Sequence, residues 1–224
     1  MNKWVSKLVI ATAIALSLAA AVSAEITDSG VKAPQGETEW NFDVYLDDSR
    51  IGHHRFHLAK RDESWLLTTE ADFKVKFLFF TAYRYQHSNR EVWRQNCLHE
   101  IESSTNANGT PFIVSGSKDD SGFTIETDRF RDDLGDCVKS FAYWYPEILD
   151  ESKLLNSQTG ELLPISVDKV AEETLTVKGQ EIPASRYHLV AKGMKLDIWY
   201  SADQRWLALE STVKGGRKLR YELT

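Results

Sequence analysis

Three histidines in the segment Gly52–His57 are the first side chains with the chemistry to bind a metal ion. Imidazoles four positions apart share one face of a helix and could chelate an ion together. Polar and apolar residues alternate here, which predicts a strand with His53, Arg55 and His57 on one face and His54 on the other. Four residues of a strand span about 13 Å, too far for one ion to bind two of these imidazoles. We therefore predict a solvated face and no metal site, although His53 or His57 could contact an anion.

Motifs for covalent catalysis are incomplete. The pattern Gly-x-Ser-x-Gly is absent. The pattern Ser-x-x-Lys begins at Ser29, Ser115, Ser166 and Ser211, but the Ser-Asp-Asn and Lys-Thr-Gly motifs that accompany it in β-lactamases are missing. Glu100 and Glu102 share a predicted strand face without an identifiable wall opposite, and the acidic run from Asp128 to Asp136 does not match a calcium-loop spacing. We predict no catalytic residues and no cofactor. The alternative is a hydrolase site hidden from the sequence, around His87 or His99.

Cys97 and Cys137 are the only cysteines of the sequence. An even number of cysteines in an exported chain predicts one disulfide. Closing the loop between them would stabilise the folded protein by about 4 kcal/mol in the chain-entropy description. The alternative is a reactive thiol, which requires surroundings that lower the thiol pKa, and no Cys-x-x-Cys arrangement is present.

Aromatic residues give the strongest compositional signal. Phe73, Val75, Phe77 and Phe79 share one predicted face, and Leu78 and Phe80 make the opposite face apolar too. Tyr83, Tyr85 and His87 share a face, and four aromatics lie between positions 141 and 145. Two interpretations remain open. One is a sandwich whose connector covers a filled sheet. The other is a barrel or half-barrel with a cavity for an apolar or lipid-like ligand. Its wall candidates are Phe77, Phe79, Tyr83, Tyr85, Tyr143 and Trp144.

The elements that would position these residues are short strands separated by turns. Period-2 alternation and turn residues predict strands over Trp40–Leu46, Ile51–Leu58, Trp65–Lys76, Tyr83–Arg94, Leu98–Thr105, Pro111–Ser117, Phe123–Thr127, Thr174–Val177, Ala184–Ala191, Lys195–Ser201, Arg205–Val213 and Lys218–Leu223. The predicted fold is mainly β: one antiparallel β-barrel or half-barrel over residues 40–224, with one short helix.

Pro146 divides the segment between the two groups of strands. The residue before a proline avoids the helical region, whereas proline is favourable at the first helical position. The sequence therefore predicts an extended aromatic connector over Ser140–Tyr145 and a short helix over Pro146–Leu155. If the disulfide forms, Cys137 ties this connector to the strand near Cys97.

The N-terminus has the organisation of a secretory signal peptide. Lys3 and Lys7 precede an apolar run of 13 residues, Leu8–Ala20, and small residues precede Glu25. This run is shorter than the roughly 20 residues of a transmembrane helix, so cleavage after Ala24 is predicted. Residues 25–39 read as a flexible leader. We predict an exported protein without a transmembrane segment, in the Gram-negative periplasm. A formal net charge of −6 disfavours nucleic acid as a partner.

Several segments together resemble a family of exported bacterial proteins classed only as a domain of unknown function. They are Ile51–Phe56, Phe77–His87, Val92–Leu98, Ser140–Pro146, Leu154–Glu161, Asp197–Tyr200, Arg205–Ser211 and Leu219–Leu223. The resemblance implies no activity. It implies that both cysteines lie in recurring motifs, in keeping with a structural disulfide. The C-terminal strands are distantly similar to periplasmic lipoprotein-carrier-like half-barrels, which fold a curved sheet around an apolar cavity.

The leading functional hypothesis is a binding or carrier role for an apolar or lipid-like small molecule. A non-catalytic envelope scaffold with a filled core is the alternative, followed by a hydrolase. Cavity volume and lining discriminate between the first two.

Overall fold

The structure, a computed structural model, describes residues 36–77 and 80–224. The predicted signal peptide over residues 1–24 lies outside the described residues, as does Phe79. Of the predicted leader, the last four positions are described, and the final two of them already belong to the first strand.

Fourteen strands make up most of the described residues. Strands β1 to β8 are Thr38–Leu46, Ser49–Arg61, Ser64–Phe77, Phe80–Arg94, Cys97–Ala107, Thr110–Asp119, Gly122–Thr127 and Arg131–Asp133. Strands β9 to β14 are Lys153–Leu155, Leu162–Val177, Gln180–Ala191, Met194–Ser201, Trp206–Thr212 and Lys218–Leu223. The helical segments of this described part are two short 3₁₀ helices, Pro146–Asp150 and Lys214–Gly216.

All fourteen strands belong to one antiparallel sheet in the order β8-β7-β6-β5-β4-β3-β2-β1-β14-β13-β12-β11-β10-β9. Strands that are adjacent in this order are also consecutive in the chain, with one exception. Strand β1 pairs with β14, which joins the two ends of the described chain. The two outermost strands, β8 and β9, do not pair with each other. The sheet is therefore unclosed, and the half-barrel form of the predicted fold is confirmed.

The sheet curls around one main core. A single cluster of buried side chains contains residues from both ends of the strand order, such as Ile125 of β7 and Leu163 of β10. Alternation within the strands explains this burial. In β1, Trp40, Phe42 and Val44 are buried, whereas Glu39 is exposed and the residues between the buried ones are only partly covered. One-sided burial of an antiparallel sheet requires this alternation.

Short turns connect most of the strands. At the β5–β6 hairpin, Asn108 and Gly109 both adopt positive φ, 52° and 88°. This conformation is the one for which an Asn-Gly pair is favoured in a two-residue hairpin. The hairpin predicted there is confirmed.

The predicted helix Pro146–Leu155 is only partly correct. Tyr145 is extended, as expected before a proline, and the 3₁₀ helix begins at Pro146. It ends at Asp150, and Lys153–Leu155 form β9 instead. The reason is burial: Leu154 and Leu155 are fully buried, and pairing with Leu162 and Leu163 of β10 satisfies their backbone while keeping both side chains in the core.

Neither 3₁₀ helix in the described part of the chain has the length or apolar character of a membrane-spanning helix.

Candidate functional site

Strand β4 directs a ladder of mostly polar side chains into the interior. Alternate residues of a strand face the same side of the sheet. The inward residues of β4 are partly or fully buried, whereas Gln86, Ser88 and Arg90 between them are exposed. The inward series is Tyr85, His87, Asn89, Glu91 and Trp93.

Neighbouring strands extend this ladder into a patch. The strand register places Thr69 of β3 and Ser103 of β5 on either side of Asn89, and Thr105 of β5 beside His87. Cross-strand partners have Cβ atoms about 5 Å apart, so these side chains form one continuous surface. We name this surface the polar patch: Thr69, His87, Asn89, Glu91, Ser103 and Thr105, each no more than 8% exposed.

Glu91 is the most deeply buried member of the patch, at 1% exposure. One carboxyl oxygen, Oε1, accepts a hydrogen bond from Asn89 Nδ2 at 2.9 Å. The other, Oε2, accepts hydrogen bonds from Trp93 Nε1 at 2.8 Å and Ser140 Oγ at 3.0 Å. Burial raises the pKa of Glu91, and the three donated hydrogen bonds act in the opposite direction. Because Ser140 lies outside the sheet strands, Glu91 joins the sheet to the segment that covers it.

Two histidines face the interior on either side of Ala71. His54 of β2 and His87 of β4 are both cross-strand partners of Ala71, and their ring centroids are 6.4 Å apart. Burial lowers the pKa of His87 to about 4. Burial, followed by repulsion from His87 and His53, lowers the pKa of His54 well below its ordinary value. Both imidazoles are therefore neutral at pH 7.

Each histidine is held by a contact to a hydroxyl. His87 Nδ1 lies 2.8 Å from Thr105 Oγ1. His54 Nδ1 lies 3.3 Å from the hydroxyl of Tyr221 on β14, and its ring stacks on Phe56 at 4.2 Å. The second ring nitrogen of His54 is buried without a hydrogen-bond partner among the described residues.

Residues 134–161, between β8 and β10, form a segment that we name the cover. The Cys97–Cys137 disulfide, with Cα atoms 5.1 Å apart, attaches its start to β5. Beside it, Leu98 N donates to Val138 O at 2.9 Å. Near the end of the cover, Tyr85 donates from its hydroxyl to Gln158 Oε1 at 3.1 Å. The predicted disulfide is confirmed, and so is its attachment of the aromatic connector to the strand at Cys97.

The aromatic residues of the cover pack against aromatic side chains of the sheet. The Tyr143 ring lies 5.2 Å from that of Trp206 on β13, and its carbonyl oxygen accepts a hydrogen bond from the Tyr200 hydroxyl at 2.8 Å. Trp144 meets Trp93 edge-to-face at 5.6 Å. These contacts fix the cover over the inner face of the sheet.

Between the polar patch and the cover lies a cavity of about 250 Å³, which we name the central cavity. Aromatic rings of the cover and of β2, β4 and β14 form part of its wall, and His87, Asn89 and Glu91 form another part. Four polar atoms of lining residues are buried without hydrogen-bond partners among the described residues: His54 Nε2, Thr69 Oγ1, Asn89 Oδ1 and Trp144 Nε1. Buried polar groups normally have partners, so this wall is suited to a polar group of a ligand.

A second concave region, of about 420 Å³, lies on the opposite face of β13 and β14. Trp199 and Leu207 contribute to it, whereas their chain neighbours Ile198 and Trp206 belong to the main core. Three of its charged lining residues are paired: Glu210 with Lys218 at 2.7 Å, and Arg220 with Glu222 at 3.3 Å. We name it the outer groove. The central cavity is the stronger candidate site because its polar atoms lack partners.

The six predicted wall residues divide into three groups. Tyr85, Tyr143 and Trp144 line the central cavity. Tyr83 does not line it and is 39% exposed. Phe79 lies outside the described residues, and Phe77 ends β3, where only its backbone is described.

The sequence interpretation missed the polar half of the site. The alternation in the sequence places His54 on the face opposite His53 and His57, but it connects neither His54 nor His87 to a cavity. Glu91, Asn89 and Thr69 were not singled out. The available signal was the spacing of Tyr85, His87, Asn89 and Glu91 at every second position, which places them on one strand face.

The His87 environment predicts a pH dependence of stability. Because the folded state lowers the pKa of His87 from 6.5 to about 4, its stabilising contribution is complete above pH 6.5 and is lost as the pH falls toward 4. Between pH 7 and pH 4, the free energy of unfolding should fall in both wild type and His87→Gln. We expect the fall to be about 3 kcal/mol smaller in His87→Gln, which lacks the titrating imidazole. Urea unfolding at several pH values measures this. Thr105→Val, which removes the hydroxyl partner but no titrating group, should keep the wild-type slope; an equal slope in His87→Gln would contradict the assignment.

Comparison with known proteins identifies a family and a similar fold, but it assigns no activity. The profile of the family described as Domain of unknown function (DUF6134) matches residues 42–224. No curated protein matches the chain. The chain is similar to a solved structure described as a β-barrel-like protein of domain of unknown function DUF1849 from Brucella abortus. The TM-score is 0.62 at 7% sequence identity, over 83% of this chain and 94% of the other. At that identity the similarity concerns the fold alone.

Proposed function

We propose that this protein, which belongs to the DUF6134 family, binds one small ligand with an apolar body between the polar patch and the cover. The description of the family names no function, so the proposal is based on the geometry of the central cavity. Tyr85, Tyr143 and Trp144 are proposed to contact the apolar body. The observation that carries this proposal is the combination of an aromatic wall with four unpartnered buried polar atoms. A filled core would have side chains packed into that space and its polar atoms paired.

The cavity volume limits the size of the ligand. A cavity of about 150 Å³ holds a single aromatic ring, and drug-sized ligands occupy roughly 300 to 1,000 Å³. The central cavity, at about 250 Å³, lies between these. A two-chain lipid exceeds it. The lipid-like ligand expected from the sequence is therefore proposed to be a small amphipathic molecule, or one end of a longer chain.

We further propose that the protein acts outside the cytoplasm, in the periplasm, after removal of residues 1–24. The basic start and apolar run of that segment support this. The disulfide also supports it, since such bonds persist in oxidising compartments.

The proposal is tested on protein purified from the periplasm. We expect mass spectrometry of an organic extract to show a co-purified small molecule, and the intact mass to correspond to a chain that begins at Glu25. The neutral apolar dye N-phenyl-1-naphthylamine should bind with increased fluorescence at one site per chain.

Two matched variants locate that site. Leu196 lines the central cavity and Leu207 belongs to the outer-groove cluster, and both are nearly fully buried. Adding volume at either position should cost about 1 to 3 kcal/mol of stability. Only Leu196→Phe, however, should weaken dye binding, by about ten-fold or more, a loss equivalent to about 1.4 kcal/mol. Equal weakening by Leu207→Phe would place the ligand elsewhere. No extracted molecule together with no dye binding would favour a scaffold with a filled core.

A further inference from the structure

We infer that the ligand of the central cavity carries an uncharged polar group that both donates and accepts hydrogen bonds, such as a hydroxyl or an amide, and is neither an anion nor a cation. This inference rests on the proposed function and specifies its ligand class. It follows from the charges, hydrogen bonds and unpartnered atoms of the cavity wall.

An anionic group would find no positive charge in the cavity. No lysine or arginine is among the described residues that line it. Lys139 directly precedes Ser140 in the cover, and its side chain is largely buried. It pairs with Glu151 at 2.7 Å, however, and does not line the cavity. An anion moved from water into this site would lose its hydration without gaining a partner charge.

The two histidines do not supply that charge. Burial keeps His54 and His87 neutral, and their ring centroids lie only 6.4 Å apart. Protonating one of them to pair with a carboxylate would require a buried cation close to the other ring. Arg55, the neighbouring guanidinium on β2, is exposed on the opposite face of that strand.

A cationic group would find one carboxyl, but not a free one. Glu91 is the acidic residue among the described lining residues. Its two oxygens already accept hydrogen bonds from Asn89, Trp93 and Ser140. A carboxylate has about four acceptor positions, and these three donors occupy all but one of them. An ammonium ion would therefore give up its hydration for a single remaining position.

A neutral group matches the unpartnered atoms. Trp144 Nε1 can only donate, Asn89 Oδ1 can only accept, and Thr69 Oγ1 can do either. Thr69 and Asn89 are cross-strand partners, and Trp144 belongs to the cover that faces them. A hydroxyl or amide group offers both the donor and the acceptor that these atoms lack.

The test uses five ligands that share a naphthalene ring system and differ in the polar group attached to it. Binding of naphthalene, 2-naphthol, 2-naphthamide, 2-naphthoate and 2-naphthylmethylammonium is measured at pH 7 by calorimetry or by displacement of N-phenyl-1-naphthylamine. We expect the naphthol or the naphthamide to bind on the order of 100-fold more tightly than both ions. Equal or tighter binding of either ion would overturn the inference while leaving the proposed function intact. Binding by none of the five would also overturn the inference; the proposed function would fall with it only if no dye bound and no extracted molecule were found.

Two isosteric variants test the polar contact itself. Thr69→Val removes one unpartnered hydroxyl of the cavity wall, and Thr68→Val makes the same change at the adjacent position on the other face of β3. We expect Thr69→Val to reduce the preference for naphthol over naphthalene by about three- to ten-fold, with Thr68→Val unchanged. The same preference in both variants would contradict a contact at Thr69, and circular dichroism would show that both are folded.

Discussion

Replacing both cysteines, as Cys97→Ser with Cys137→Ser, is expected to lower the free energy of unfolding by about 4 kcal/mol. The two residues are 40 positions apart, so the disulfide removes a long open loop from the unfolded ensemble. It also fixes the start of the cover to β5, beside the Leu98–Val138 main-chain hydrogen bond. Urea unfolding of the oxidised protein and of the variant measures the difference.

Reduction of the wild-type protein provides the matched control for this prediction. Reduced wild type should unfold at the urea concentration of the double variant, because both lack the same covalent link. A loss of less than about 1 kcal/mol in both would mean that non-covalent contacts alone hold the cover. Hydrogen exchange should show the earliest loss of protection at Val138 to Ser140 rather than in β1, since local opening begins where the constraint is removed.

Glu91→Ala should cost about 3 to 5 kcal/mol of stability. The substitution leaves Asn89, Trp93 and Ser140 with buried donors and no acceptor, and it removes a side chain that is only 1% exposed. Glu91→Gln keeps one acceptor oxygen but turns an amide N–H₂ toward buried donors, so we expect an intermediate loss of about 1 to 2 kcal/mol.

A surface glutamate on the adjacent strand serves as the control. Glu100 of β5 pairs with Arg90 at 3.5 Å, and both side chains are nearly half exposed. Glu100→Ala should therefore change stability by no more than about 0.5 to 1 kcal/mol. If Glu91→Ala were as mild as Glu100→Ala, the hydrogen-bonded join between sheet and cover would have no energetic importance.

The pH dependence gives Glu91 a second signature, opposite in sign to that of His87. Burial raises the pKa of Glu91 above its ordinary value of 4.5. The folded state therefore keeps the proton to a higher pH than the unfolded state does. The stability that this provides is complete below pH 4.5 and is lost as the pH rises through the folded-state pKa. Relative to Glu91→Gln, the wild type should lose stability as the pH rises; a parallel pH profile of the two proteins would contradict the raised pKa.

The strands were largely predictable because their signal is local. In β1 every second residue is apolar, and Asn108-Gly109 suits a two-residue turn wherever it occurs. The predicted strands match their structural counterparts within a few residues at most ends. The prediction failed where local pattern and burial disagree: β10 begins at Leu162, twelve residues before the predicted Thr174, because much of this part of the strand is exposed and charged.

The same reasoning explains the error in the helix. Lys153–Leu155 follow a helix-compatible segment, and nothing local distinguishes a helical leucine pair from a strand pair. Only the approach of Leu162 and Leu163 in β10 supplies a strand partner. A short edge strand of three residues depends on such a partner for its existence.

By itself, the sequence determined the β class, most of the strands, the turns and the pairing of its two cysteines. These depend on alternation, on turn residues with positive φ and on cysteine count, all of which act over short distances or leave one choice.

Tertiary structure alone decided the site. In β4 the outward residues Gln86, Ser88 and Arg90 are as polar as the inward His87 and Asn89, so local alternation does not show which face is buried. That face became a polar patch because the curled sheet and the tethered cover enclosed it. The patch members Thr69 and Thr105 belong to β3 and β5, and strand pairing brings them beside the β4 residues.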